Sequence, residues 1–193
     1  FGVSEVIGAG RAVGCVDGQI SLTVADRRLA LRAERDLVGV STGRFSSPIA
    51  GVEWRREHWP DDIEFAGFAF TQFALPVTAG ADLEFDFQPA PGLRSPRVVS
   101  PLLVRSGSTF VLLAPLGHAH EQVIAVTADG LMWGWHGDLD EIPAGFEARL
   151  GVYEGHSVTD VLARWRDDLD LPDRSDRMAD DPLSTHLSYW TDN

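Results

Sequence analysis

The chain has 193 residues, 44% of them hydrophobic and 23% charged, with a net charge of −13. Such a chain can bury a sizeable core as one domain without covalent staples. The acidic balance argues against nucleic acid and anionic membranes as partners, since both call for a cationic surface, and suits neutral or cationic ligands. All 16 basic side chains are Arg, which reads as coding bias and carries no functional message. Cys15 is the sole cysteine, so no internal disulfide can form and a cytoplasmic location is expected. The opening residues lack the charged lead and apolar stretch of a signal peptide. The longest apolar runs, such as 110–116, fall far short of the roughly 18 residues that a membrane helix needs.

From the N-terminus, residues 12–16 and 19–25 flank Asp17-Gly18 and predict a hairpin, because Asp-Gly supplies the positive φ that tight hairpin turns need. Residues 28–34 alternate polar and apolar and predict a further strand after a turn at Asp26-Arg27. Residues 42–49 read as loop. Residues 52–60 carry Trp54 and Trp59 around a charged stretch that is expected to be exposed. Aromatic-rich residues 64–73 and the strictly alternating 82–87 read as strands, and the Pro-rich 88–96 as a connector within the same domain. Residues 98–104 and 109–114 have the look of buried strands. Residues 121–127 and 131–135 predict a hairpin around residues 128–130, and 145–153 alternate once more. Together these give roughly ten to twelve strands at spacings of about 8–12 residues, the pattern of a β-sandwich or barrel.

The period changes at Ser157. Val158, Val161, Leu162, Trp165 and Leu169 recur at helical spacing behind a Ser N-cap, with Asp160 placed as in a capping box and Leu171-Pro172 as the stop. Residues 173–182 read as a polar connector. The last ten residues begin a new aromatic strand at 187–191, followed by Asp192 and Asn193. A strand that finishes without a closing turn leaves its backbone groups unpaired. The expectation is therefore that the protein continues past Asn193.

Several residue groups carry possible chemistry. His118, His120 and Glu121 offer a metal-like spacing if they lie on a strand, as in cupins, and otherwise make a His-rich turn. Trp54, Trp59, Trp133 and Trp135 either stack on sugar rings or fill the core, with Trp54 and Trp59 the better candidates for sugar. Asp61-Asp62 and Asp180-Asp181 read as solvated turns, and no carboxylate pair stands out as general acid and base. There is no Gly-x-Ser-x-Gly elbow and no Walker-type phosphate loop. Cys15 reads as packing.

Residues 187–193, Leu-Ser-Tyr-Trp-Thr-Asp-Asn, following a β unit and a capped helix, resemble the domain junction of α-galactosidase and raffinose-synthase-like glycoside hydrolases. The resemblance implies a mainly β fold, an antiparallel β-supersandwich of the galactose-mutarotase-like kind over residues 1–156. A bridging helix and linker would follow over 157–183, and the first strand of a (β/α)8 barrel over 184–193. It implies a non-catalytic domain that supports and orients a catalytic barrel acting on α-linked carbohydrate. Trp190 and Asp192 would lie at the barrel mouth and contact sugar, with Trp54 and Trp59 as further substrate-binding candidates. The catalytic aspartates of that group stand on later strands, so no catalytic residue, cofactor or metal is expected within these residues. The alternatives are a stand-alone carbohydrate-binding or interaction sandwich and a metal-dependent cupin-like enzyme.

Overall fold

The computed structural model describes residues 10–69, 88–89, 97–127 and 129–169. The expected strands at 70–73 and 82–87, the linker at 173–182 and the stretch at 184–193 with Trp190 and Asp192 lie outside the described residues. Among the described residues the fold is mainly β, with antiparallel sheets and one C-terminal helix.

The strands are β1 (Arg11–Val13), β2 (Ile20–Ala25), β3 (Arg28–Ala33), β4 (Leu37–Val38), β5 (Gly51–Arg55), β6 (Glu64–Ala69) and β7 (Gln88–Pro89). They continue with β8 (Arg97–Ser106), β9 (Thr109–Pro115), β10 (Gln122–Val126), β11 (Gly130–Trp135), β12 (Glu141–Ile142) and β13 (Glu147–Gly155). Helix α1 (Val158–Asp168) follows. The main sheet path runs β1-β5-β11-β10-β8-β9-β13-β3-β2, with β6 and then β7 branching from β8. Strand β8 serves two halves: Arg97 and Val98 pair with β10, whereas residues 102–106 pair with β9 and 102–105 with β6. The first half is β1-β5-β11-β10, and the second runs from β6 to β2.

The period-2 alternation explains why the halves pack as layers. Leu29, Leu31 and Ala33 of β3, Val52 and Trp54 of β5, Ile124 and Val126 of β10, and Leu131, Trp133 and Trp135 of β11 all point into one core. Leu102 and Val104, Val111 and Leu113, and Ala148, Leu150 and Val152 complete it from β8, β9 and β13. Each fully buried Leu or Val contributes about 1.5–3 kcal/mol of burial free energy. The alternate residues of the second half, Leu103, Leu112, Ala114 and Tyr153, form a second cluster on the opposite face. There α1 lies across them, burying Val161 and resting Val158, Leu162, Trp165 and Leu169 on the sheet.

Helix α1 starts where the sequence places it. The Ser157 side chain accepts a hydrogen bond from the Asp160 N–H at 3.1 Å, satisfying one of the orphan donors of the first turn. The Asp160 carboxylate does not close a capping box; it turns outward to Arg164, one turn on, at 3.0 Å. At the other end the Asp168 carboxylate accepts from the Tyr153 hydroxyl and from Arg28, both at 2.9 Å, and Trp165 Nε1 donates to the Pro115 carbonyl at 3.1 Å. Burial first, and then the Asp168 carboxylate beside it, push the Tyr153 hydroxyl well above the ordinary tyrosine range. Replacing Asp168 with Ala is expected to cost about 1 kcal/mol, since it orphans a half-buried hydroxyl while losing only an exposed ion pair. A double-mutant cycle with Tyr153→Phe checks this: the two losses should be less than additive, and strictly additive losses would show that the pair does not act as a unit.

The expected hairpin at Asp17-Gly18 does not form. Strand β1 pairs with β5 and β2 pairs with β3, so residues 14–19 carry the chain from one half to the other. The turn expected at Asp26-Arg27 does form and makes the tight hairpin β2–β3, with φ 45° at Asp26 and 66° at Arg27. Two consecutive positive φ values suit the right-handed twist of the flanking strands; Asp tolerates that region, whereas Arg27 holds it at a steric cost of about 1 kcal/mol.

Candidate functional site

An open cleft of about 460 Å³ lies at the start of β6, lined by Asp61, Asp62, Ile63, Glu64, Arg105 and Gly107. Antiparallel pairing of β6 with β8 sets Glu64 directly opposite Arg105. The Arg105 Nε donates to Glu64 Oε2 at 2.7 Å, and its Nη2 closes on the same oxygen. Ser106 Oγ donates to Asp62 Oδ1 at 2.9 Å. Ile63 is buried beneath them, which anchors the acidic bend to the core. A short 3₁₀ turn at Arg56–His58 precedes Trp59, whose half-buried ring meets Phe65 edge to face with centroids 5.3 Å apart. The cleft thus combines fixed carboxylates and a guanidinium near one aromatic ring. Such groups can exchange hydrogen bonds with hydroxyls. Glu64 and Asp62 are each held by a partner, which fixes the direction their oxygens face.

The sequence candidates separate on burial. Trp54 is 2% exposed and points into the core from β5. A ring covered on both faces offers no platform to a sugar, so the expected exposure of Trp54 is corrected. The cause is strand parity: Arg55 to Glu57 are exposed, but Trp54 shares its face with Val52. Trp133 and Trp135 are fully buried as well. Trp59 keeps partial access and stands near the cleft. Asp61 and Asp62 occupy the solvated turn foreseen for them. Glu64, Arg105 and Ser106 were not singled out, because only the β6–β8 register, spanning some forty residues of sequence, brings them together.

His118 and His120 lie in the exposed turn after β9, not on a strand, so they share no strand face. His118 has φ 50° and its ring tilts against Phe146 with centroids 4.8 Å apart. Among the described residues no three His, Cys, Asp or Glu side chains converge as metal ligands. Cys15 follows β1 and packs against the core, where burial raises its thiol above the ordinary value.

Near that end of the sandwich the loop at 41–47 wraps around Gly137. The Thr42 N–H and Ser41 Oγ both donate to the Gly137 carbonyl, and Phe45 stacks on His136 with centroids 4.5 Å apart. The Asp138 N–H donates to His136 Nδ1 at 3.2 Å, which requires that nitrogen to be unprotonated. Burial pushes His136 below its ordinary value of 6.5, outweighing the opposing pull of Asp138 and Glu121. The folded state therefore favours neutral imidazole. Stability from this residue is complete above pH 6.5, and declines as the pH falls further because the unfolded chain takes up the proton first. Wild type should thus lose more of its denaturation midpoint between pH 7.5 and 5 than His136→Asn, in which the amide oxygen keeps accepting from Asp138; equal losses would remove His136 as a contributor.

No protein-family model matches the sequence, and neither a curated protein nor a solved structure matches it. Among the described residues no helix is long and apolar enough to cross a membrane.

Proposed function

We propose that this chain is the non-catalytic N-terminal β-supersandwich domain of a glycoside hydrolase acting on α-linked carbohydrate, and that it supports and orients a C-terminal catalytic barrel. The observation that carries this reading is the order and seating of the last described elements. Two antiparallel layers are followed by a single capped helix laid on the outer face of one of them. In sequence that helix is followed by the aromatic stretch at 187–193, whose likeness to a first barrel strand supplies the family. Trp190 and Asp192 remain the substrate contacts proposed for that strand. The reaction belongs to carboxylates beyond these residues, and the absence of a cofactor is part of the same reading.

The test is an assay of the product of the whole gene beside the 193-residue chain, on aryl α-glycosides. The whole product should release the aryl group and the chain alone should not. If the coding sequence contains no (β/α)8 barrel after Asn193, the reading is lost. The cleft at Asp61–Glu64 near Trp59 favours a second reading, a carbohydrate-binding sandwich that acts by itself. Saturable quenching of Trp fluorescence by oligosaccharide, abolished in Trp59→Ala, would favour that reading over a pure support role.

A further inference from the structure

Strand β2 ends the sheet path, and among the described residues nothing pairs with its outer edge. Its register fixes which backbone groups face that edge. The Glu34 N–H donates to the Gln19 carbonyl, and the ladder continues as Ser21↔Arg32 and Thr23↔Ala30. In an antiparallel pair the groups of alternate residues face the partner. Ser21, Thr23 and Ala25 therefore face β3, while Ile20, Leu22 and Val24 face outward. The Ile20 N–H is already used by the Val16 carbonyl at 2.9 Å. The N–H and C=O of Leu22 and Val24 remain directed away from the molecule.

Natural sheets guard such an edge with charge, proline or a bulge. Residues Ile20–Ala25 have none of these. The side chains add to the case. Ile20 lies in the core and Leu22 packs against it, but Val24, on the same face, is 48% exposed. Val16, whose carbonyl closes the start of the strand, is 47% exposed.

We propose that β2 is a homodimer interface, at which two copies of the chain pair this strand antiparallel across a two-fold axis. Setting Leu22 of one copy opposite Val24 of the other aligns all four outward-facing donors and acceptors on each strand. Because directly opposed residues share a face, Leu22 and Val24 of both copies form one apolar seam joining the two cores. In that register Arg27 of one copy stands opposite Gln19 of the other and Asp26 opposite Ile20, so no like charges are directly opposed at the flanks although each chain bears −13. The contact is self-complementary and closes at two copies.

Sedimentation velocity of the full chain tests this over a roughly hundredfold range of concentration, since dimerisation follows mass action. The mass should rise from 21.1 kDa to twice that value and stop. Val24→Pro removes an outward donor without touching the β2–β3 ladder, and Val24→Lys places a charge in the seam. Both variants should keep the wild-type far-ultraviolet circular dichroism and sediment as monomers throughout. A wild type that stays monomeric, growth beyond two copies, or a dimer that persists in either folded variant would overturn the proposal.

Discussion

Trp133→Phe should destabilise the protein by about 2 kcal/mol more than Trp135→Phe, although the two indoles stand two residues apart on one strand and both are fully buried. The difference lies in their N–H groups. Trp133 Nε1 donates to Gln122 Oε1 at 2.8 Å, and the Gln122 amide donates in turn to the Gly117 carbonyl at 2.6 Å. Gln122 is itself 4% exposed. Phenylalanine at 133 leaves a buried amide oxygen unsatisfied, in addition to the void left by the smaller ring, for a total of about 3 kcal/mol. The Trp135 Nε1 has no partner among the described residues. Phenylalanine at 135 leaves a similar void but removes an orphan donor, and the two effects largely offset. Paired urea denaturation of the two variants decides the matter. Equal losses would show that the Trp133–Gln122 bond adds nothing, or that the Trp135 indole is satisfied in solution.

Gly134→Ala should cost about 3 kcal/mol, at the upper end of overpacking penalties, because what it meets is backbone and cannot swing aside. Gly134 lies opposite Gly51 in the β5–β11 register. A Cβ there runs into the Ala50 carbonyl oxygen and lies 3.0 Å from the Gly51 Cα. The same Ala50 carbonyl accepts the Trp135 N–H at 3.1 Å, so a retreat of β5 would also break the ladder beside the Trp135 ring. The paired glycines are what let β5 approach β11 closely enough to share the tryptophan core. A denaturation midpoint within about 1 kcal/mol of wild type would mean that β5 can shift freely, and that the close approach is not required.

These two predictions concern the half of the sandwich that supplies Trp54, and they bear on function by exclusion. Three of the four tryptophans with possible sugar-stacking roles are structural, one of them tied by a named hydrogen bond. Of the four, Trp59 alone keeps partial access to solvent. The carboxylates of the neighbouring cleft are set in place by Ser106 and Arg105 from a strand distant in sequence.

Much was legible without coordinates. Alternating polarity marked the strands with one buried face and short apolar runs marked those covered on both, and the change to helical spacing at Ser157 marked α1 together with its N-cap. Local turn chemistry was a weaker guide. The turn expected at Asp26-Arg27 forms and closes the β2–β3 hairpin, whereas the Asp17-Gly18 signal makes no hairpin, because pairing is chosen by which strands can bury their apolar faces together. The charged residues after Trp54 made its stretch read as exposed; only the fold shows that it lies on a strand with its ring on the inner face. The same holds for the site and for the free edge. Glu64 and Arg105 become partners through register, and β2 becomes an open edge through its place at the end of the sheet path. Polarity patterns are local and survive in the sequence. Register and strand order are contacts between distant segments, settled by burial and backbone pairing across the whole fold.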